Sequence, residues 1–368
     1  MNKIVSFIKQ EAVLLISLLL AVVSAFFVKP SSEYIEYIDF KTLCLLFCLM
    51  TVMAGLQKIG VFKLLAYRLL SVAKTTRSLY FVLTLLCFFS SMLITNDVAL
   101  LTFVPFTVTT LNISNQRRHL AFVTVMQTVA ANLGSMLTPV GNPQNLYLFS
   151  RFNLSAYDFF STVFPYCALS LVLLIICGFF IKNEGVNIEY GAGERITSKP
   201  KMISYFALFL LSLLCVFRVL SFVLLLVVVL AFALIFDRKT ITKIDYSLLL
   251  TFVFLFVFIG NLGNIDYVSA FLQKVVNGNE VAVGVLSSQM LSNVPAAILL
   301  SAFTDNAKAL LIGVNLGGLG TLIASMASLI SFKLVQKQNV NMQKYILLFT
   351  LVNLIFMALN CALCFLIS

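Results

Sequence analysis

The sequence has little charge. Only 11% of its 368 residues are Asp, Glu, Lys or Arg, whereas 61% are hydrophobic and the mean hydropathy is +1.05. Soluble domains carry about 25% charged residues, so this composition argues against a soluble globular protein. The apolar runs are long enough for bilayer-crossing helices of about 20 residues each. The sequence therefore predicts an all-α polytopic membrane protein.

Histidine and acidic residues at membrane depth are scarcer still, and this scarcity argues against an enzyme. One histidine cannot supply the two His of a zinc site of the HExxH type. Asp97 is the one acidic residue that the predicted helices place at membrane depth, whereas an aspartyl protease needs two such carboxylates. The chain also lacks a nucleotide-binding GxxxxGK[ST] motif. We therefore expect no catalytic activity and no cofactor, with Na⁺ or H⁺ as the coupling ion of any transport.

The eight cysteines also indicate no special chemistry. All of them fall inside apolar runs, where cysteine behaves as a small buried hydrophobic residue. Even the CxxC pair at Cys361 and Cys364 has no second pair or nearby histidine. Packing is therefore expected, rather than disulfides or zinc.

The charges that are present indicate the topology. The net charge is +11, and Lys and Arg gather between the apolar runs. The positive-inside rule predicts such an excess in cytoplasmic loops. Because this rule accounts for the positive charge, no nucleic-acid partner is expected. The run 204–236, interrupted only by Arg218, is too long for one crossing and has basic residues beyond both ends, which predicts two crossings. The N-terminal stretch is expected to be a first transmembrane helix rather than a cleaved signal. We expect a plasma-membrane protein with a cytoplasmic N-terminus and an extracytoplasmic C-terminus.

Two halves of the chain match in order. "IDFKTLCLLFCLMTVMAGLQKIGVF" resembles "IDYSLLLTFVFLFVFIGNLGNIDYV", and "SSMLITNDVALL" resembles "SSQMLSNVPAAILL". An odd number of predicted crossings separates the halves, so the repeats are inverted. The predicted division is a first repeat over 1–182 with a re-entrant hairpin at 79–111 and a broken helix at 119–149, a polar linker and linking helix over 183–217, and a second repeat over 218–368 with a re-entrant hairpin at 281–304 and a broken helix at 308–333.

Helix breakers interrupt one apolar segment in each half. They are Gly134, Pro139, Gly141 and Pro143 in the first half and Gly313, Gly317, Gly318 and Gly320 in the second. Broken helices free backbone groups that lipid cannot satisfy, so they belong beside a polar cavity. Paired broken helices in inverted repeats are typical of secondary transporters with a site near the bilayer midplane. The alternative is that the glycines only permit close helix packing.

With these motifs the sequence resembles the ion transporter superfamily, which includes divalent-anion/sodium symporters, citrate transporters and arsenite permeases. The resemblance covers nearly the whole chain. It rests on the tips Thr95-Asn96-Asp97 and Ser292-Asn293-Val294 and on the segments "NLGSMLTPVGNPQN" and "NLGGLGT". It implies a homodimer in which a mobile transport domain moves against a scaffold in an elevator motion. Asp97 and Val294 depart from the family pattern, which has Thr at the third tip position.

The resemblance also implies the site residues. For substrate binding we expect Thr95, Asn96, Asn142, Ser292, Asn293 and Thr321. For cation or proton coupling we expect Asp97, Asn132, Gly134, Thr138, Gly141, Asn315, Gly318 and Gly320. A Na⁺ site is expected at Asn96, Asn132, Asn293 and Asn315.

Asp97 has two interpretations. An intramembrane carboxylate is a functional candidate that could bind Na⁺ or take up a proton, but it could also cap the half-helix that starts beside it. The expected cargo is a small anion or oxyanion, of the di- or tricarboxylate type or inorganic, moved with Na⁺ or H⁺. The alternatives are an arsenite permease or a Na⁺/H⁺ antiporter, with a channel or an intramembrane enzyme as the different-class readings.

Overall fold

The computed structural model describes residues 11–186 and 196–367, which form nineteen α-helices. These are α1 Ala12–Ala25, α2 Glu33–Glu36, α3 Phe40–Ile59, α4 Val61–Leu70, α5 Thr76–Ile94, α6 Asn96–Ile113, α7 Leu120–Ser135, α8 Pro143–Arg151, α9 Ala156–Phe179, α10 Lys199–Val216, α11 Phe222–Phe236, α12 Arg238–Ile241, α13 Tyr246–Gly263, α14 Asp266–Val276, α15 Glu280–Leu291, α16 Asn293–Leu300, α17 Ala307–Leu316, α18 Met326–Gln336 and α19 Met342–Ile367. The start of the predicted first helix and most of the predicted polar linker lie outside the described residues.

Six of the described helices, namely α3, α5, α9, α10, α13 and α19, are long and apolar enough to cross a membrane. Several shorter apolar helices, α1, α11, α15, α17 and α18, accompany them. An all-α polytopic membrane protein is therefore confirmed. The division into two inverted repeats remains a prediction.

Helices α5 and α6 form an antiparallel pair, which we call the first hairpin. Its two ends lie close together, because the backbone N–H of Thr76 donates to the carbonyl of Glu184 at 2.9 Å and Arg118 forms an ion pair with the Glu184 carboxylate. The turn is at Thr95, which has φ 68° and ψ 152°. A non-glycine residue with positive φ is uncommon, and such strain concentrates at functional sites.

Helices α15 and α16 form the second hairpin. Thr304, just beyond α16, donates its hydroxyl to the carboxylate of Glu280 at the start of α15, at 2.8 Å. The turn is at Ser292, with φ 76° and ψ 153°. The two hairpins thus turn with the same unusual backbone conformation at the positions that the sequence comparison pairs.

Both predicted broken helices are interrupted in the structure. The segment predicted over 119–149 forms α7 and α8, which are separated by residues 136–142. The segment predicted over 308–333 forms α17 and α18, which are separated by residues 317–325. The first gap contains Pro139 and Gly141, and the second contains Gly317, Gly318 and Gly320, which disfavour helix. Gly134 and Gly313 lie inside α7 and α17, and Pro143 opens α8.

The helix ends define two faces of the molecule. At one face, which we call the basic face, Lys201 at the start of α10 lies 3.9 Å from the carboxylate of Asp237. At the other, which we call the opposite face, Arg218 follows α10 and donates to the carbonyl of Phe149 at 3.0 Å. Arg218 also adopts a positive φ of 64°, as expected for the tight turn between α10 and α11.

A buried carboxylate fastens α3, α10 and α11 together at the basic face. Asp237 is 4% exposed, forms an ion pair with Lys58 and accepts a hydrogen bond from the Tyr205 hydroxyl at 3.2 Å. Burial opposes its ionisation, but the hydrogen bond and charge of Lys58 and the charge of Lys201 hold the pKa of Asp237 below its ordinary value. Its contribution to stability is therefore present above about pH 4 and is lost as the pH falls through the lowered pKa.

We expect Asp237→Asn to lower the free energy of unfolding by about 1–3 kcal/mol at neutral pH, because Lys58 and Lys201 lose their partner. Thermal unfolding of the purified protein measures this. The difference from the wild type should shrink as the pH falls from about 4 through the lowered pKa of Asp237, below which both proteins carry a neutral group. Asp158→Asn, which breaks an exposed pair with Lys308, is the matched control and should have a smaller effect. Equal losses in the two variants would contradict the prediction.

Candidate functional site

The tips of both hairpins and the interruptions of both broken helices meet around one small crevice. Its lining consists of Asn96 and Asp97 from the first tip, Asn293 and Val294 from the second tip, Pro143, Gln144, Ser325 and Met326 from the broken helices, and Leu248 of α13. The first residues of four helices are among them: Asn96, Pro143, Asn293 and Met326 open α6, α8, α16 and α18. Helix N-termini carry partial positive charge, so this convergence favours a negatively charged ligand.

Each tip bonds to the interrupted segment of its own half in the same way. The backbone N–H of Asn96 donates to the carbonyl of Gly141 at 3.2 Å, and that of Asn293 donates to the carbonyl of Ala324 at 3.0 Å. These bonds satisfy backbone groups that helix breaking leaves free.

Asn132 connects the two halves beside the crevice. Its Oδ1 accepts from Asn96 Nδ2 at 3.1 Å and from Ser325 Oγ at 3.0 Å, while its Nδ2 donates to the carbonyl of Gly318 at 3.4 Å. Asn132 belongs to α7 of the first half, whereas Ser325 and Gly318 belong to the interruption of the second. Three predicted residues are therefore brought together here, with Ser325 as an added member.

Asn315 makes a second connection between the halves. Its Oδ1 accepts from Asn142 Nδ2 at 3.3 Å, and its Nδ2 donates to Asn145 Oδ1 at 2.7 Å. Asn145 in turn donates to the carbonyls of Met136 at 3.1 Å and Thr138 at 3.2 Å. The interruption of the first broken helix is thus held by side-chain amides from both halves.

Asp97 does not cap its helix in this structure. Its Oδ1 is buried and has no hydrogen-bond partner within the described part of the chain. The Asp97 backbone N–H donates instead to Asn96 Oδ1 at 2.9 Å. Neither Lys nor Arg is among the described residues that line the crevice. The carboxylate therefore has a free acceptor at the site, as a proton-binding or cation-binding group requires.

Of the predicted residues, Asn96, Asp97 and Asn293 line the crevice, whereas others contact groups outside its lining. Gly134 packs on the backbone of α5, where an added Cβ would lie 2.2 Å from the Phe88 carbonyl oxygen. Thr138 donates its hydroxyl to the carbonyl of Met92. Thr321 is exposed, and its backbone N–H donates to Gln289 Oε1 at 2.9 Å. Gly320, with φ +103°, also packs against Gln289.

Gln144, Asn145, Gln289 and Ser325 were not among the predicted residues. Gln289 Nε2 donates to the carbonyls of Gly317 at 2.8 Å and Leu319 at 2.9 Å, which fixes the second interruption. A signal for Gln144 and Asn145 is present in "NPQN", because both follow Pro143 at the end of the first interruption. Ser325 lies in "IASMASL", which has no feature that distinguishes it from an ordinary apolar helix.

Comparison with known families decides the class of protein. A family described as "Citrate transporter" matches residues 4–331. The chain belongs to the citrate transporter family. It is accordingly a multi-pass membrane transporter, which is also what the helices and the polar crevice indicate.

Two full-length relatives agree with this membership of the citrate transporter family. An uncharacterized transporter of Methanocaldococcus jannaschii is 36% identical over 318 residues, which is 86% of each chain. The inner membrane protein YbiR of Escherichia coli is 30% identical over 311 residues, which is 82% of each chain. A transporter of Dictyostelium discoideum named arsB is 26% identical over 173 residues, 45% of this chain and 29% of its own length.

In this citrate transporter family member, Gly318→Ala tests the geometry of the crevice. A Cβ at Gly318 would lie 2.9 Å from Asn293 Nδ2 and 3.2 Å from the Asn315 carbonyl oxygen. We expect solute uptake to fall about tenfold or more with a small loss of stability, because the Asn293 amide can move aside but then leaves its position. Gly185→Ala, where the added Cβ meets nothing within 4 Å, is the matched control. Normal uptake by the Gly318 variant would contradict the assignment.

Proposed function

We propose that the protein is a secondary active transporter that moves a small anion or oxyanion together with Na⁺ or H⁺. The observation that carries the proposal is the convergence of four helix N-termini on one crevice. Their backbone dipoles attract an anion although Lys and Arg are absent from the described lining. Carboxylates, phosphate, sulfate and deprotonated oxyacids share this chemistry.

The coupling ion would act through Asp97 and the neighbouring amide oxygens. An anion beside an ionised carboxylate is repelled unless a cation or a proton accompanies it. The buried Oδ1 of Asp97, which lacks a partner, supplies an oxygen for either. Oxygen ligands suit Na⁺, and Asn132, Asn293 and Asn315 bring further amide groups close to the crevice.

The geometry is also compatible with alternating access by an elevator motion. The cross-half bonds of Asn132 and Asn315 join the broken helices into one body, which would slide against α3, α10, α11 and α13. We further propose that the protein is a homodimer in the plasma membrane. The basic face would be cytoplasmic under the positive-inside rule, with the N-terminus inside and the C-terminus outside.

A thermal-shift screen of the purified protein tests the proposal. Citrate, succinate, phosphate, sulfate and arsenite would each be added with Na⁺ or K⁺ at two pH values. A ligand of the folded state raises apparent stability by RT ln(1 + [L]/Kd), so a saturating anion should raise the melting temperature. A shift with one anion that requires Na⁺ or low pH supports the proposal, and uptake of that anion into proteoliposomes would follow.

A Na⁺/H⁺ antiporter is the second candidate, and the unpartnered Asp97 oxygen is the observation that favours it. Its signature in the same screen would be a shift with Na⁺ or with pH and no response to any anion. Proton efflux driven by an inward Na⁺ gradient would then replace anion uptake as the functional assay.

A further inference from the structure

A second cavity, of about 640 Å³, opens on the opposite face. It lies between the N-terminal end of α3, the C-terminal ends of α8 and α13, and Ala302 beyond the second hairpin. Its charged lining residues are Glu36, Asp39, Lys41 and Arg151. We call this cavity the vestibule.

The two cations of the vestibule have no partner among the described residues. Neither Arg151 nor Lys41 forms an ion pair or a side-chain hydrogen bond with any described residue. Other cations of the same face are engaged: Arg218 donates to backbone carbonyls and stacks on the Phe149 ring at 5.2 Å, and Lys308 forms an ion pair with Asp158. A guanidinium and an ammonium that protein groups leave free are suited to capture an anion.

The two acids balance the two cations in net charge, but they differ from them in their contacts. Both oxygens of Asp39 accept hydrogen bonds from Thr42, one from its backbone N–H at 3.0 Å and one from its hydroxyl. Glu36 belongs to the short helix α2 and is exposed to solvent, as Arg151 is, so solvent screens the two charges alike.

The vestibule and the crevice lie at opposite ends of one helix, α8. Helix α8 begins at Pro143 in the crevice and ends at Arg151 in the vestibule, a distance of about 12 Å at 1.5 Å per residue. Tyr147 lies midway, is 4% exposed and shares a hydrogen bond of 2.8 Å with Ser301. Its ring packs against Phe256 of α13, with centroids 5.6 Å apart. Tyr147 therefore lines the vestibule at the middle of the helix that reaches the crevice.

We propose that the vestibule is an anion-capturing site, in which Arg151 and Lys41 hold a carboxylate, phosphate or sulfate one helix length from the crevice. This rests on the proposed function, since it describes how the same cargo reaches the crevice. It adds a site with cationic side chains to a transporter whose described crevice lining has none.

Charge-selective labelling of a cysteine in the vestibule tests the proposal without requiring transport. Ser150, which lines the cavity, is replaced by Cys in a background whose eight native cysteines are alanine or serine. The purified protein is treated at low ionic strength with an anionic sulfonatoethyl or a cationic trimethylammonioethyl methanethiosulfonate. If that background fails to fold, the native thiols are kept and the labelling of the protein with Ser150 intact is subtracted.

We expect the anionic reagent to react faster in the wild-type vestibule. Arg151→Gln should slow the anionic reagent and speed the cationic one by about threefold each, since one unit charge about 6 Å away in water changes the local concentration by that factor. Lys41→Gln should act in the same direction and Glu36→Gln in the opposite direction. Lys274→Gln, an exposed cation of α14 that does not line the vestibule, should change neither rate.

Protection experiments then test binding itself. Phosphate, sulfate or citrate should slow labelling of the Ser150→Cys protein by an uncharged methanethiosulfonate, and Arg151→Gln should remove that protection. Equal anionic and cationic rates in the wild type, unchanged rates in Arg151→Gln, or no protection by any of the three anions would overturn the proposal. A charge-selective vestibule that anions protect, in a protein that takes up none of these anions into proteoliposomes, would overturn the proposed cargo and leave the vestibule standing. Anion uptake by a protein whose vestibule shows neither charge selectivity nor protection would overturn the vestibule proposal alone.

Discussion

Replacing Asn96 or Asn293 with alanine is expected to abolish solute uptake while leaving membrane insertion intact. Asn96 donates to Asn132 and accepts from the Asp97 backbone N–H, so its loss releases the first tip from Asn132, the residue that bonds to Ser325 of the second half. Asn293 occupies the equivalent position of the second tip, with its amide against Gly318. Losing hydrogen bonds of about 1.5–3 kcal/mol at the site predicts a decrease of about 10- to 100-fold. Uptake into proteoliposomes, normalised to inserted protein, measures it.

Asn353→Ala is the matched control for both substitutions. Asn353 is equally buried, but among the described residues its Nδ2 donates to the carbonyl of Phe349 alone, one turn earlier in α19 and outside the crevice lining. It should cost some stability and leave uptake per folded molecule unchanged. Wild-type uptake by both tip variants would remove the two asparagines from the site.

Asp97→Asn is expected to uncouple solute uptake from the ion gradient that drives it. The substitution keeps the size of the side chain but removes the charge and the ability to exchange a proton, so the dependence of uptake on a Na⁺ or pH gradient should be lost. Folding should be retained, because no hydrogen bond to the buried Oδ1 is broken among the described residues. The measurement is uptake with and without each gradient in proteoliposomes.

The competing account of Asp97 gives the opposite pattern. If the carboxylate caps α6 in another conformation of the protein, Asp97→Asn would lower the melting temperature and leave the gradient dependence intact. Asp158→Asn at the opposite face serves as a control for the loss of one acidic charge. Unchanged coupling in the Asp97 variant would therefore reject its role as the coupling group.

Local chemistry made much of the fold predictable. The long run around Arg218 divides into two helices as expected, because basic residues beyond both ends require an even number of crossings. The interruptions of both broken helices were predictable from Gly and Pro, which act on their own backbone. By contrast, the conformation of Thr95 and Ser292 has no sequence signal, since neither is glycine and the strain is sustained by tertiary bonds to the interrupted segments.

The site was predictable only in part, for a physical reason. Broken backbone needs polar partners, which indicated where a polar site would lie, but the choice of Asn96, Asn132 and Asn293 came from the family resemblance. Which residue of the second interruption enters the crevice depends on the path of the chain between α17 and α18. The path carries Thr321 outward, where it bonds to Gln289, and brings Ser325 inward to Asn132. Contacts across about 190 residues of sequence cannot be inferred from spacing.

The four converging helix starts have a consequence for acidity and for the choice of cargo. Peptide groups do not gain or lose protons at physiological pH, so the attraction they offer is permanent and equal in acid and in alkali. Any pH dependence of uptake then reports the protonation of the cargo and of Asp97. It does not report a change in the attraction between the helix N-termini and the anion. Side chains around the crevice could also be exchanged during evolution without loss of this pull, so relatives with different cargoes can share one backbone arrangement.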